Sequence, residues 1–159
     1  VVVNWSTLLY PVKNAHLAYE LVKLDTYSPG DMRAPGAPLG LFAIESAMDE
    51  LSYAMGSDPI ELRLRNYAER DENEGKPFSS KELRACYHQG AESFGWSNRK
   101  SQPRSMREGR DLVGWGMASG VWEANMMKTS ARVTLNDVGK VEVACATSDI
   151  GTGTYTILT

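Results

Sequence analysis

An arginine in a loop of small residues is the first candidate for chemistry in this chain of 159 residues. Arg33 lies in the run 30–40, which contains three glycines and two prolines and leads into a helical pattern. Glycine and proline oppose regular structure, whereas the free amides at a helix N-terminus attract anionic oxygens. A guanidinium group offers a planar fork of donors to such oxygens. The run therefore predicts an anion-binding loop, although the spacing alone favours the alternative of a structural turn.

A second candidate is the glycine- and threonine-rich run further along the chain. Gly151 and Gly153 alternate with Thr152 and Thr154, so backbone amides can approach a ligand and hydroxyl groups can donate to it. The run lacks both the GK[ST] ending of a P-loop and the GxGxxG spacing of a dinucleotide site. Taken alone, it is more typical of a turn at the end of a strand.

Composition argues against several other functions. The net charge of −3 disfavours a general nucleic-acid binder, and no apolar run approaches the roughly 20 residues of a membrane span. The two cysteines lie far apart, as do the two histidines, and they form no His/Cys cluster, so we expect no zinc or iron site and two buried thiols, Cys86 and Cys145. Any metal would therefore arrive inside a cofactor.

Regular elements must position the two candidate runs. Alternation over residues 19–26 predicts a half-buried strand that leads into the first run. A helix over 41–55, ended by Gly56, follows that run. Its apolar stripe consists of Leu41, Ile44, Met48, Leu51 and Met55.

Capping signals predict two further helices, and strands follow them. Asp58 is expected to cap a second helix that has Pro59 at its first position. Ser79 is expected to cap a third helix, which Gly95 ends. Residues 69–77 are predicted to form an exposed loop, and residues 97–110 a solvated linker. Alternation predicts a strand over 112–118 and a hairpin over 131–145, in whose turn Gly139 is free to take positive φ.

These elements predict an α+β fold in which helices pack on a mixed or antiparallel sheet. The strand and Gly/Pro loop span 17–40, the helices 41–95, the linker 97–110, and the sheet with the glycine-rich motif 111–159. The chain starts without methionine and stops inside an apolar stretch, so we expect a fragment of a longer protein. The fragment 1–159 is predicted to belong to one domain.

Motifs spread over the chain carry a resemblance that neither run carries alone. From residue 25 to 158, the chain resembles the molybdenum-binding large subunit of the xanthine dehydrogenase and aldehyde oxidase family. It is most similar to the bacterial aldehyde oxidoreductases that carry molybdopterin cytosine dinucleotide. The motifs are Met32-Arg33-Ala34-Pro35-Gly36, Phe42-Ala43-Ile44-Glu45, Met48-Asp49-Glu50-Leu51, Asp58-Pro59-Ile60-Glu61-Leu62-Arg63, Phe94-Gly95-Trp96, Leu112-Val113-Gly114-Trp115-Gly116 and Asp149-Ile150-Gly151-Thr152-Gly153.

The resemblance implies a molybdenum hydroxylase, an oxidoreductase that oxidises aldehydes or heteroaromatics with oxygen derived from water. It also implies partner subunits that hold iron–sulfur clusters and FAD. The family's catalytic base is a glutamate far downstream that no position here matches, so the isolated fragment is expected to be inactive. The alternative is a non-catalytic binding or scaffold module that keeps the fold without the cofactor. The compartment, bacterial cytoplasm or periplasm, stays open.

The resemblance also assigns residues to the cofactor and to the substrate pocket. Pro35 stands where xanthine-specific members have an aromatic residue that stacks on substrate, which puts purine stacking in doubt and opens the pocket. Thr152 stands where the family often has a glutamine that contacts the cofactor. The implied cofactor-binding residues are Arg33, Ala34, Gly36, Gly151, Thr152, Gly153 and Thr154.

Overall fold

The computed structural model describes residues 2–27, 30, 33–122 and 125–158. It consists of helices and small antiparallel sheets, which confirms the α+β class. The described chain forms two compact units, Val1–Trp122 and Glu123–Thr159.

The first unit begins with a short helical segment. A 3₁₀ turn over Val2–Trp5 continues into helix α1, Ser6–Leu9. The strand expected over 19–26 is absent, and the apolar side chains of that stretch are exposed. Because no described segment pairs with it, its alternating pattern has no ladder of hydrogen bonds to complete.

Helices α2 (Ala37–Met55) and α3 (Pro59–Arg65) form the centre of this unit. Helix α2 starts four residues earlier than predicted, because Pro38 fits in its first turn. Its end is as predicted, with Gly56 in the left-handed conformation at φ 62°. The predicted cap of α3 is also confirmed, since the Asp58 carboxylate accepts from the amides of Ile60 at 2.8 Å and Glu61 at 3.3 Å.

Helix α4, Leu83–Phe94, starts later than predicted. Glu82 takes the cap position, and Ser79 lies outside the helix. Between them, the Lys81 ammonium donates to the carbonyl oxygens of Leu8 and Ala68, which holds this stretch against the start of the unit. The end is as predicted, with Gly95 at φ 77°.

The strands form three separate two-stranded antiparallel sheets in the described residues. Two of them lie where an exposed loop and a linker were predicted, and the strand expected over 112–118 is only three residues long. The strands are β1 (Arg70–Asp71), β2 (Lys76–Pro77), β3 (Met106–Glu108), β4 (Asp111–Val113), β5 (Ala131–Leu135) and β6 (Val141–Cys145), paired in that order.

The core of the first unit brings α1, α2 and α3 together. Its buried apolar side chains are Leu9, Tyr10, Met48 and Leu62, with Leu41, Ile44, Leu83 and Val121 packed against them. The predicted stripe on α2 is correct in its first half only, because Leu51 and Met55 are 45% and 58% exposed. Glu45 and Ser52 are buried instead. The inward face of α2 is thus partly polar.

The second unit contains the predicted hairpin of β5 and β6, with Val133 opposite Val143 and Leu135 opposite Val141. Gly139 takes φ 78° in the turn, as its position predicted. Every residue of both strands is exposed, so within the described residues the apolar side chains of the hairpin are not buried as expected. A short helix, α5 (Thr154–Ile157), follows.

The expectation of two buried thiols is wrong. Cys86 and Cys145 are both exposed and unbridged. Cys86 lies on a helix with a single buried residue, Tyr87, and Cys145 ends a strand that is exposed throughout.

Candidate functional site

The loop 33–36 turns sharply into α2. Ala34 and Gly36 both have positive φ, 63° and 73°. The amide of Ala37 donates to the carbonyl oxygen of Ala34 at 3.1 Å, and the amide of Gly40 donates to that of Gly36 at 3.1 Å. Positive φ is strained for alanine, so the loop is held by the helix that it enters.

The start of α2 suits an anionic oxygen. Gly36 occupies the cap position and, as a glycine, has no side chain that could cap the helix. A helix of 19 residues directs the partial positive charge of its first turn towards this loop. The exposed side chain of Arg33 adds a cation, and Pro35 is half-buried beside it. The residue types and the backbone of loop 33–36 therefore fit a phosphate or oxo group.

The loop 149–154 has a different internal arrangement from the one expected. The Asp149 carboxylate accepts from the amides of Gly151 at 2.6 Å and Thr152 at 3.0 Å, and the Oγ1 atoms of Thr152 and Thr154 lie 3.0 Å apart. The hydrogen bonds from these backbone amides, that of Gly151 foremost, hold the pKa of Asp149 below its usual value. Two amides of the glycine run thus bind the chain's own carboxylate.

Gly151 and Gly153 have positive φ, 93° and 81°. A Cβ atom placed on either glycine would meet nothing within 4 Å, so their conformation, rather than a close approach in this chain, explains why they are glycines. The threonine hydroxyls fit a polar ligand better than the occupied amides do. Loop 149–154 lies in the second unit, whereas loop 33–36 lies in the first.

The structure also reveals a buried polar group that the sequence analysis did not identify. We name it the Glu45–Arg63 cluster, and it comprises Tyr10, Glu45, Arg63, Tyr87 and Ser119. Arg63 is fully buried, and Glu45 is 4% exposed. Arg63 Nε donates to Glu45 Oε2 at 2.9 Å, so the two charges form a buried ion pair between α2 and α3.

The guanidinium group of Arg63 is engaged at every nitrogen. Nη1 donates to the carbonyl oxygen of Pro59 at 3.1 Å, and Nη2 donates to the carbonyl oxygen of Glu45 at 3.1 Å. Nη2 also lies 2.9 Å from Asp49 Oδ1. Burial alone would lower the pKa of Arg63, but Glu45 and its other partners raise it above its ordinary value. The group is a fixed cation.

The carboxylate of Glu45 collects donors from distant parts of the first unit. The Tyr10 hydroxyl donates to Oε1, and the backbone amide of Ser119 donates to Oε2 at 2.6 Å. The hydroxyls of Tyr87 and Ser119 hydrogen-bond to each other. Burial, followed by the bond to Glu45, raises the pKa of Tyr10 far above its ordinary value. Tyr10 is therefore a neutral donor at physiological pH.

One feature of the sequence could have indicated this cluster. Glu45 lies four residues after Leu41 and three before Met48, so it occupies the apolar stripe of a helix. A carboxylate on such a stripe needs a buried partner. In the sequence, Glu45 and Arg63 stand out only as parts of the motifs that carry the resemblance.

A second arginine is used in packing. Arg99 lies 4.8 Å from the Trp96 ring centroid and donates to the Trp115 carbonyl oxygen at 3.1 Å and to the Tyr53 hydroxyl at 2.7 Å. Tyr53, Trp96 and Arg99 border a cleft of about 560 Å³. The basic stretch 97–110 is thus partly anchored.

Neither a metal centre nor a membrane helix is found in the described parts of the chain. Residues 2–27, 30, 33–122 and 125–158 contain no group of three or more His, Cys, Asp or Glu side chains that could hold a metal ion. Within the same residues, no helix has the length and apolarity needed to cross a bilayer.

Comparison with protein families gives two matches of the same description. Residues 1–67 and residues 89–159 each match a model of a molybdopterin cofactor-binding domain. Together the two matches cover most of the chain. The first contains loop 33–36, and the second contains loop 149–154.

Similar proteins occur in Escherichia coli strain K12. The chain is 42% identical to the aldehyde oxidoreductase molybdenum-binding subunit PaoC over 98% of its own length and 21% of PaoC. It is 35% identical to the putative xanthine dehydrogenase molybdenum-binding subunit XdhA, over 82% of this chain and 18% of XdhA. It is 28% identical to the probable hypoxanthine oxidase XdhD, over 95% of this chain and 17% of XdhD. The chain thus spans about a fifth of the length of these relatives.

Proposed function

The chain belongs to the molybdopterin cofactor-binding domain family, and we propose that it is part of the molybdenum-binding subunit of a molybdenum hydroxylase. The reaction is the oxidation of an aldehyde or a heteroaromatic compound with oxygen derived from water. The observation that carries the proposal is loop 33–36, where two residues of positive φ and an exposed arginine lie at the start of α2, whose cap residue is a glycine. The identity to PaoC, an aldehyde oxidoreductase subunit, supports the same proposal.

The residues of loop 33–36 have separate roles in this proposal. Arg33 supplies charged donors to the anionic oxygens of the cofactor, and Ala34 and Gly36 set the backbone that faces it. Pro35 borders the substrate pocket and leaves space where an aromatic ring would stack. The cofactor, when bound, supplies the oxygen transfer and the electron acceptance, and the protein supplies position and electrostatics.

Loop 149–154 contributes hydroxyl groups in this proposal. Thr152 and Thr154 donate to polar atoms of the cofactor, while Gly151 and Gly153 provide the turns that present them. Asp149 keeps the turn folded through the amides of Gly151 and Thr152.

Further parts of the enzyme lie outside this chain in the proposal. The cofactor is the cytosine dinucleotide form of molybdopterin, and partner subunits hold iron–sulfur clusters and FAD. The catalytic base comes from a part of the polypeptide that this chain does not include. Residues 1–159 form one portion of the cofactor-binding domain, and this portion alone is inactive.

Metal and cofactor analysis of the full-length protein tests the proposal. We expect molybdenum and a pterin in the purified protein, and cytidine monophosphate after acid hydrolysis. If the properly matured protein lacks both molybdenum and pterin but still binds partner subunits, the alternative of a non-catalytic scaffold module is correct.

Substrate preference follows from Pro35. Because proline cannot stack on a purine as an aromatic residue does, we expect a higher kcat/KM for benzaldehyde-like aldehydes than for xanthine. The measurement is steady-state kinetics of the assembled enzyme with both substrates. A preference for xanthine would contradict the role given to Pro35.

A further inference from the structure

We propose that Glu45 and Arg63 are positioning residues for loop 33–36, because their buried hydrogen bonds fix the rotation and the axial position of α2. The consequence for cofactor retention rests on the proposed function, whereas the effect on the loop itself does not.

Helix α2 is the element that holds this loop. Gly36 is the cap residue. The backbone hydrogen bonds from the Ala37 amide to the Ala34 carbonyl and from the Gly40 amide to the Gly36 carbonyl join the loop to the first turn. Ala37 itself is buried. Any rotation or sliding of α2 therefore moves the backbone of loop 33–36.

The carboxylate of Glu45 is a fixed point on α2. It lies eight residues after Ala37, about 12 Å along the helix axis. Tyr10, Arg63 and Ser119 donate to it from three separate segments of the first unit. Shifting α2 by one residue would turn this side chain by about 100° away from all three donors.

Arg63 fixes the main chain of α2 as well. Its Nη2 donates to the carbonyl oxygen of Glu45, and its Nη1 donates to the carbonyl oxygen of Pro59 in the first turn of α3. The neighbouring apolar contacts of Met48 and Leu62 are not directional, so they tolerate small rotations that these bonds do not.

Stability alone does not explain a buried ion pair at this place. Apolar side chains of similar volume often stabilise a protein as well as a buried pair does, because desolvation of the charges is costly. What the pair adds is a single allowed orientation of α2.

Two conservative variants of the full-length protein test this proposal. In Arg63→Lys the buried charge remains, but the planar guanidinium group that donates to Glu45 Oε2 and to two carbonyl oxygens is lost. In Glu45→Gln the charge is lost, but one oxygen still accepts from Ser119 and Arg63, and the amide nitrogen can donate to Tyr10. Glu50→Gln, at an exposed position of the same helix, is the matched control.

The main readout is hydrogen exchange of the Ala37 and Gly40 amides in cofactor-free protein, relative to the amides of α4. We expect roughly tenfold faster exchange in Arg63→Lys, as for the loss of one to two net hydrogen bonds, a smaller change in Glu45→Gln, and none in Glu50→Gln. Molybdenum content after maturation should fall in the same order.

Two outcomes would overturn the proposal. One is that Arg63→Lys accelerates hydrogen exchange equally at Ala37, at Gly40 and in α4 while the unfolding midpoint falls. The pair would then act on stability only. The other is that Glu45→Gln accelerates exchange at Ala37 and Gly40 as much as Arg63→Lys does, or more. The charge of the pair, rather than the direction of its hydrogen bonds, would then matter.

A third variant keeps the test decisive if Arg63→Lys does not fold. Tyr10→Phe removes one directional bond to Glu45 without a change in charge and with little change in volume. It should accelerate exchange at Ala37 and Gly40 more than at α4, and equal acceleration of both would refute the proposal. If wild-type protein contains no molybdenum while the exchange results hold, the proposed function fails and the positioning role stands.

Discussion

The Glu45–Arg63 cluster and the loop 149–154 are each built around one carboxylate that accepts several hydrogen bonds. Glu45 is 4% exposed, and its donors come from residues 35, 18 and 74 positions away in the chain. Asp149 is partly exposed, and its donors Gly151 and Thr152 are exposed residues two and three positions away. The same group therefore organises tertiary structure in one place and a single turn in the other.

The difference shows how burial decides what a carboxylate does. In the cluster, water cannot replace a lost hydrogen-bond partner. The hydrogen bonds of the cluster therefore depend on one another. In the exposed loop, water competes for both the carboxylate and the amides, so the turn can change its partners at low cost. Burial thus separates a carboxylate that joins distant segments from one that stabilises a local turn.

Removal of the buried cation should have the largest effect. Arg63→Met leaves the Glu45 carboxylate buried without its counter-charge, and we expect a loss of about 3–5 kcal/mol in the free energy of unfolding of the first unit. Denaturant-dependent hydrogen exchange of the α3 amides in the full-length protein measures it. Arg65→Met, on the exposed side of the same helix, is the control and should lie close to wild type. Equal stabilities of the two variants would contradict the importance of the cluster.

An exposed arginine should show the opposite pattern, with function lost and stability kept. Arg33→Lys retains the charge but loses the planar fork, so we expect turnover of the assembled enzyme to fall on the order of tenfold or more. The exchange protection of α2 should be unchanged, because Arg33 lies outside the helix and its side chain is exposed. Wild-type turnover in Arg33→Lys would reduce Arg33 to a loop residue.

Features encoded by neighbouring residues were predicted well from the sequence. The ends of helices at Gly56 and Gly95, the cap at Asp58 and the turn at Gly139 each depend on residues within one helical turn or one hairpin. The α+β class followed from these elements.

Features that depend on distant partners were not predicted. The strand expected over 19–26 needs a neighbour that pairs with it, and none is found in the described chain. The burial of Glu45 follows from its ion pair with Arg63, which belongs to another helix. At the candidate site, the sequence identified the glycine positions but not that Asp149 accepts from their amides. The roles of Arg33 and Thr152 stay predictions.

A smaller effect is expected at the partly exposed carboxylate of Asp149. Asp149→Ala removes the acceptor of the Gly151 and Thr152 amides, so their hydrogen exchange should become several-fold faster, with the β5–β6 hairpin unchanged. Asp149→Asn, which keeps an acceptor oxygen but loses the charge, should lie between Ala and wild type.

Acid should reproduce the change in loop 149–154. The folded state lowers the pKa of Asp149, so the carboxylate stabilises the turn above its ordinary pKa, and this contribution is lost as the pH falls through the lowered value. Unchanged exchange of Gly151 in the alanine variant would show that Asp149 does not hold the turn.

The smallest effect concerns Lys81, which lies between the two extremes of burial. Burial lowers its pKa from 10.5 to about 8, although its ammonium group donates to the carbonyl oxygens of Leu8 at 3.0 Å and Ala68 at 2.6 Å. Between about pH 8 and the ordinary value, the unfolded chain keeps a proton that the folded chain has released. The free energy of unfolding should therefore rise with pH across this window.

The tyrosines limit this rise at its upper end. Burial raises the pKa of Tyr67 and Tyr87 above 10.0, so above that pH the unfolded chain releases protons that the folded chain keeps, and stability falls again. The measurement is the unfolding midpoint of the full-length protein at several pH values, compared with Lys81→Met and with Lys100→Met, an exposed control. The rise attributed to Lys81 is the difference between wild type and Lys81→Met. If both curves keep the same slope between pH 8 and 10, the partly buried ammonium group behaves like an exposed one, and the contrast between buried and exposed charges does not extend to Lys81.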